Sequence, residues 1–154
     1  MKTAIVLATA GLMSLSIIAA TPAAAYHLIP ENTTFEGTGN TSATRAGITL
    51  ACKADLQGSV DSKGVGSVTG GSFTGELGCT SVALENLPWK SVAKRATKAT
   101  ISNVTFSSPI GNCGPGNLTV KVKNGKITFT DAPLSGNCTI SGTIKTNPAL
   151  SIVP

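Results

Sequence analysis

Apolar and polar residues alternate with a period of two through much of the chain, which is the pattern of half-buried β-strands. The clearest run has an apolar side chain at every second position, at Ile48, Leu50, Cys52, Ala54 and Leu56. Residues 61–64, in the order Asp, Ser, Lys and Gly, predict a turn after this strand. A return strand rich in Gly, Ser and Thr then follows through Val68 and Phe73.

The strongest local signal is Asn124-Gly125, which lies between two alternating segments, 118–123 and 126–130. Both residues tolerate the positive φ that a two-residue type I′ turn requires, so a tight β-hairpin is predicted. Its register pairs three residues from each strand, Lys123 with Lys126, Val122 with Ile127, and Val120 with Phe129. The apolar pairs then share one face of the ribbon, so the turn and the side-chain pattern agree.

Two further strands complete the pattern. One runs through Ile101, Val104 and Phe106, and its change of parity predicts a β-bulge near residues 102–103. The last alternates from Cys138 to Ile144 and is followed by a turn and a short apolar tail, 149–154. About six strands at this spacing predict an all-β fold, either a small antiparallel β-sandwich or a barrel-like domain.

The N-terminus is typical of a secretory signal peptide. Lys2 precedes an uncharged apolar run from Ala4 to Ala20, and three alanines ending at Ala25 suit a signal peptidase. The predicted division is a signal peptide over residues 1–25 and a single mature β domain over residues 26–154. An uncleaved membrane anchor is the alternative, because the run is about long enough to span a bilayer. We expect a secreted protein, with the periplasm and the cell surface as alternative locations.

Four cysteines follow the predicted cleavage site, and an even number in an exported chain predicts two disulfides. If the strands of the 124–125 hairpin extend far enough, its register places Cys113 nearly opposite Cys138. Cys52 is then left to pair with Cys79 across a loop of similar length. The alternative is that the cysteines bind zinc, but the chain has no Cys-x-x-Cys pair and only one histidine. No metal or cofactor is predicted.

The chain is mildly basic, with 12 Lys and Arg against 7 Asp and Glu, and its net charge of +5 falls to +4 when Lys2 is removed. This balance does not indicate a nucleic-acid partner. For an exported protein, anionic polysaccharide or lipid headgroups are the expected acidic neighbours. One segment concentrates basic residues beside the only tryptophan, and its candidate interface residues are Trp89, Lys90, Lys94, Arg95 and Lys98. The alternative is that Trp89 fills the core beside a solvated basic face.

The sequence offers no recognisable catalytic group. The one histidine, His27, lies beside the predicted new N-terminus, and a surface position is the simpler interpretation. The seven acidic residues are scattered along the chain, so a carboxylate pair would form only through the fold. We therefore expect a protein that is not an enzyme and assign no catalytic residues.

Several short segments carry a family resemblance, Phe35-x-Gly-x-Gly, Leu87-Pro88-Trp89, Cys113-Gly114-Pro115 and residues 136–142. Through them the chain resembles the secreted activators of alkane oxidation found in pseudomonads and related Gram-negative bacteria, over most of the mature chain. The segments consist of turns, a tryptophan and cysteines, so the resemblance implies no catalytic residues. It implies an exported accessory factor that assists growth on hydrocarbons.

Two functional hypotheses follow. The first is a non-enzymatic accessory protein, surface-active or hydrocarbon-associated, because the chain is only 12 % charged and rich in Ala, Val, Ile and Thr. Its partners would be hydrocarbon, lipid or cell-surface polysaccharide. The second is a structural or adhesive subunit of an extracellular matrix or surface filament. In that case the tail over residues 149–154 would add to a neighbouring chain's sheet edge and the protein would self-associate.

Overall fold

Eleven β-strands and one short 3₁₀ helix account for the regular structure of residues 25–154, which are the residues that the computed structural model describes. The predicted signal peptide lies outside the described residues except for Ala25. The strands are β1 His27–Ile29, β2 Thr33–Arg45, β3 Ile48–Val60, β4 Gly66–Gly75, β5 Ala83–Glu85, β6 Trp89–Arg95, β7 Lys98–Ser107, β8 Cys113–Lys123, β9 Lys126–Leu134, β10 Cys138–Asn147 and β11 Ser151–Val153. The 3₁₀ helix covers Cys79–Ser81. Over residues 25–154, no helix has the length and apolar character needed to cross a membrane.

Eight of these strands close into an antiparallel barrel. Their order around the barrel is β7, β6, β4, β3, β2, β10, β9 and β8, and pairing between β7 and β8 closes the ring. The all-β prediction is confirmed, and of its two alternatives the structure forms the barrel. The six predicted strands correspond to β3, β4, β7, β8, β9 and β10, so five strands were missed. Three of these, β1, β5 and β11, have only three residues each. The other two are β2, which has few large apolar residues, and β6, which lies in the basic segment.

The predicted turns lie where the pattern placed them. In the turn at residues 61–64, the Asp61 carboxylate accepts hydrogen bonds from the backbone N–H groups of Lys63 and Val65, at 2.8 and 2.9 Å. These bonds lower the pKa of Asp61. At the 124–125 turn, Asn124 and Gly125 have φ values of 51° and 71°, as a type I′ turn requires.

The hairpin register is confirmed for Lys123 with Lys126 and for Val122 with Ile127. The pairing of β8 with β9 ends one step later, so Val120 has no partner there and instead pairs with Ala99 of β7. Beyond this point β8 stays paired with β7, and β9 stays paired with β10. The predicted bulge in β7 is also present between Ile101 and Val104.

Both disulfides join the predicted cysteines, Cys52 with Cys79 and Cys113 with Cys138. The second pair forms for a reason other than the extended hairpin register that predicted it. Cys138 does not extend β9, which ends at Leu134, but opens β10 after a tight turn, and that turn brings the Cα atoms of Cys113 and Cys138 to 5.7 Å. Two disulfides indicate an oxidising, extracytoplasmic environment.

The opposite end of the barrel is covered by a two-stranded sheet in which β1 pairs with β11. Leu150 in the apolar tail is only 1 % exposed, and its backbone N–H donates to the Thr146 hydroxyl at 2.9 Å. Leu28 of β1 is buried beside it in the main core. The tail therefore pairs within its own chain and covers the barrel end, and its addition to a neighbouring chain stays a prediction.

Candidate functional site

The candidate site is a cavity inside the barrel, and it exists because several inward-facing side chains are small. The inner face of β2 begins with Phe35 but continues through Gly37, Thr41 and Ala43, all of which line the cavity. Gly37 can have no side chain here, because a Cβ atom would lie 2.8 Å from Ile144 Cγ2. A barrel of eight strands has an interior that side chains just fill or that holds one small ligand.

The cavity has a volume of about 130 Å³ and separates two groups of buried side chains. The larger group is the main core, which includes Phe35, Trp89 and Val104. The smaller group surrounds the first disulfide and contains Leu50, Cys52 and Cys79. Residues from both groups line the cavity, so the interior is apolar on each side of it.

The lining is almost wholly apolar. The lining residues with polar side-chain groups are Thr41, Ser42, Ser67 and Ser91, which carry hydroxyls, and Trp89, whose indole N–H donates to the Glu85 carbonyl. The Thr41 hydroxyl already donates to the Cys52 carbonyl at 3.1 Å. Every other lining residue is a glycine, a cysteine or a hydrocarbon side chain, so the wall offers no ionisable group to a ligand. Such a wall suits an uncharged apolar molecule, because a buried charge needs a paired partner.

Two places in the barrel wall have few backbone pairs. One is beside the 124–125 turn, where β8 pairs with β9 over only three residues, Lys121–Lys123. The other involves β4, β5 and β6. β4 pairs with β6 over only Gly66–Val68, and β5, which continues the line of β6, pairs with β7 and not with β4. Side chains rather than backbone hydrogen bonds close this seam, and three of them are half-buried while also lining the cavity, Phe73, Val82 and Leu84. The seam between β4 and β5 is thus a part of the wall that side-chain movement alone would open.

The structure separates the predicted interface residues. Trp89 is 6 % exposed, lines the cavity, and donates from its indole N–H to the Glu85 carbonyl at 2.7 Å. Of the two interpretations of Trp89, the structure has the core tryptophan beside a solvated basic face. The basic residues of the segment, Lys90, Lys94, Arg95 and Lys98, are exposed. Their contact with anionic groups stays a prediction.

The histidine and the acids lie outside the cavity. His27 Nε2 is 3.4 Å from Glu31 Oε1 in β1 and the turn that follows it. All seven acidic side chains are exposed. The sequence did not reveal the cavity, because a cavity depends on the summed volumes of side chains from strands far apart in the chain. The one available signal was the run of small residues that begins at Gly37 in β2.

The geometry explains two of the segments that carry the family resemblance. In Phe35-x-Gly-x-Gly, Phe35 fills the barrel and Gly37 allows the close approach of Ile144. In Leu87-Pro88-Trp89, the tryptophan joins the core and its N–H satisfies a carbonyl of β5. These residues determine the shape of the interior.

Comparison with known families identifies one match, the family described as alkane oxidation protein activator PraA/PraB-like, over residues 1–154. Comparisons with curated proteins and with solved structures gave no match. The family's description suggests a role in activating alkane oxidation and a protein that is not itself the catalyst. Because the match covers the whole chain, the protein belongs to the PraA/PraB-like family of alkane oxidation protein activators.

Proposed function

We propose that this protein is a secreted, non-enzymatic accessory protein that assists growth on hydrocarbons by binding a small neutral hydrocarbon inside the barrel. The observation that carries the proposal is the apolar cavity, in a chain whose family is named for the activation of alkane oxidation. Most small barrels fill their interior with side chains, whereas this one leaves about 130 Å³ between two hydrophobic groups.

The volume limits the ligand. An apolar cavity of about 150 Å³ in another protein holds benzene, so a cavity of this size suits one molecule of about six carbon atoms. The end of a longer alkane would also fit if the rest of the chain left through the seam between β4 and β5. The hydroxyl of Thr41 is already engaged, so the wall provides few of the polar partners that an ordered water needs.

The lining also favours a hydrocarbon over a fatty acid. A carboxylate in the cavity would lose its hydration and meet no cation, because all lysines and arginines of the described residues are outside the lining. A neutral hydrocarbon has no such hydration to lose, and its transfer from water into the cavity is favourable in proportion to the apolar area that is buried. The site therefore suits the substrate of alkane oxidation rather than its acidic products.

Binding is tested by methyl NMR of the purified mature protein titrated with benzene, n-hexane or sodium hexanoate. We expect saturable one-to-one shifts at lining methyls such as those of Leu50 and Ile140 with the two neutral probes. Hexanoate should bind more than about tenfold more weakly, because its charge would be buried without a partner. Equal binding of hexanoate, or shifts confined to exposed methyls, would contradict the proposal.

A matched pair of variants localises the site. Ala43→Leu places three extra carbons in the cavity and should abolish the shifts, whereas Ala51→Leu makes the same change on the outer face of β3 and should leave them unchanged. Urea unfolding of both variants checks that the barrel survives, since overpacking costs roughly 1–3 kcal/mol. Loss of binding in both variants would place the site elsewhere.

The biological role needs a separate experiment. A strain lacking the gene should grow more slowly on hexadecane and normally on succinate, and the wild-type gene should restore growth where Ala43→Leu does not. Fractionation of the complemented strain should recover the mature protein from the medium or the cell surface. Normal growth of the deleted strain on hexadecane would reject the accessory role even if the barrel binds hydrocarbon.

Surface activity is a second way in which this accessory protein would contact hydrocarbon. In the described residues the two most exposed large apolar side chains are Leu77, which is fully exposed, and Ile48, which is 59 % exposed. If they contact an oil droplet, Ile48→Ser with Leu77→Ser should weaken the lowering of interfacial tension in pendant-drop measurements against hexadecane. An unchanged tension would leave the cavity as the means of contact.

A further inference from the structure

Basic side chains form a continuous row across five neighbouring strands, and only part of this row is visible in the sequence. It comprises Arg95, Lys98, Lys121, Lys123, Lys126 and Lys145, which we call the basic row. Four cross-strand pairs join its members, Arg95 with Lys98, Lys98 with Lys121, Lys123 with Lys126, and Lys126 with Lys145. All six side chains are exposed on the outer face of the barrel.

These pairs are unfavourable for the fold itself. Like charges directly opposite one another destabilise a sheet, because their Cβ atoms are only about 5 Å apart. Among residues 25–154 the ion pair within 4.0 Å joins His27 and Glu31, at another place, so no carboxylate neutralises the row there. Folding stability therefore does not explain why cations occupy these paired positions, whereas an anionic ligand would.

We propose that the basic row binds an anionic polysaccharide chain. Neighbouring strands are about 4.8 Å apart, so a row that crosses five strands extends for about 20 Å as a line of positive charge. A flexible polymer with regularly spaced carboxylates can follow such a line around the curved barrel. The row is flanked by hydroxyl side chains such as those of Thr119 and Thr128, which can hydrogen-bond to sugar hydroxyls.

A bilayer fits this surface less well. Proteins that bind the membrane interface combine lysines with exposed aromatic or large apolar side chains that enter the lipid. The two aromatic residues nearest to the row in the sequence, Phe129 and Trp89, line the cavity inside the barrel, and Trp89 is buried in the core. The most exposed apolar side chains, Ile48 and Leu77, lie near the disulfide-linked end of β3 and β4. The 124–125 turn, which the row flanks, lies at the opposite end, where β1 and β11 cover the barrel.

The test compares two triple variants that remove the same charge. The first changes Lys121, Lys123 and Lys126 to Thr within the row, and the control changes Lys53, Lys63 and Lys90 to Thr outside it. Binding of the mature protein to immobilised alginate, a polyuronate, is measured by biolayer interferometry at low and at physiological salt. Neutral dextran and phosphatidylglycerol vesicles serve as comparison ligands.

We expect the row variant to bind alginate at least about tenfold more weakly and with a shallower salt dependence, and the control to lose less than about threefold. The row variant should also unfold at the same or a higher urea concentration than the wild type, because like-charge contacts are removed. If both variants lost alginate binding equally, the binding would depend only on net charge, and the proposal would be overturned. Absence of saturable alginate binding, or binding to vesicles but not to alginate, would also overturn it.

Discussion

At the scale of single residues, Trp89 combines two contributions to stability. Its ring is buried in the main core, and its indole N–H donates a hydrogen bond to the Glu85 carbonyl. Trp89→Phe removes the donor and part of the ring, and should cost roughly 1–3 kcal/mol of unfolding free energy. Urea denaturation measures the change. Lys90→Ala, at the exposed neighbouring position, should change stability by less than about 0.5 kcal/mol.

The Asp61 turn predicts a pH effect with a defined sign. Backbone N–H groups of Val65 and Lys63 lower the pKa of this carboxyl in the folded protein, so folding stabilises the ionised form. That contribution is present above the unfolded pKa and disappears as the pH falls through the lowered folded pKa. Asp61→Asn should therefore destabilise the protein at pH 7 and make little difference near pH 2, as measured by urea unfolding at both values. A difference that grows with acidity would contradict this account.

At the scale of elements, the tail covers one end of the barrel, where β11 pairs with β1 and Leu150 enters the main core. Leu150→Ala should cost about 2–5 kcal/mol, because it removes most of a fully buried side chain that belongs to the main core and lines the cavity. Val153→Ala, at a half-buried position on the same tail, should cost clearly less. Thermal and urea unfolding measure both, and sedimentation should give the same mass for both variants and the wild type. Dissolution of a large assembly by Leu150→Ala would support the structural-subunit hypothesis.

The elements that could be predicted from the sequence are the local ones. The 124–125 turn and the bulge near Asn103 depend on residues that tolerate positive φ, and Asn103 has a φ of 59°. The alternation in β3 placed Leu50, Cys52 and Ala54 inside, where they are buried. The pairings that close the ring, β7 with β8 and β2 with β10, leave no local signal, because each depends on a partner strand chosen by the whole fold.

The candidate site was harder to predict than the fold for the same reason. Trp89 next to a run of lysines resembles an interfacial motif in sequence, but alternation along β6 directs the ring inward and Lys90 and Lys94 outward. The basic row was only half visible, since Lys121, Lys123 and Lys126 join Arg95 and Lys98 only when β8 pairs with β7. Periodicity assigns a side chain to a face, and strand order decides which faces meet.

At the scale of the whole molecule, stability should depend strongly on the two disulfides, because the described core contains few aromatic side chains. Their sequence separations are 27 and 25 residues, for which chain entropy predicts about 3–4 kcal/mol each. Replacing Cys52 and Cys79 by Ala, or Cys113 and Cys138, should lower the unfolding free energy by that amount in guanidinium titrations. Removing both disulfides should cost about 6–8 kcal/mol, which is a large part of a total of about 5–15 kcal/mol. A loss below about 1 kcal/mol for either pair would show that the barrel does not depend on it.

The pairing of the chain's first described strands with its last ones determines when folding can finish. β2 has β10 as one of its two neighbours, and β1 has β11, so about a hundred residues separate the partners. Until Cys138–Asn147 has been synthesised, β2 remains an unpaired edge and the ring stays open. Such distant contacts also form slowly. If the chain is exported unfolded, as our proposal of a secreted protein requires, this topology delays folding, because the native barrel cannot close before the final strands are present.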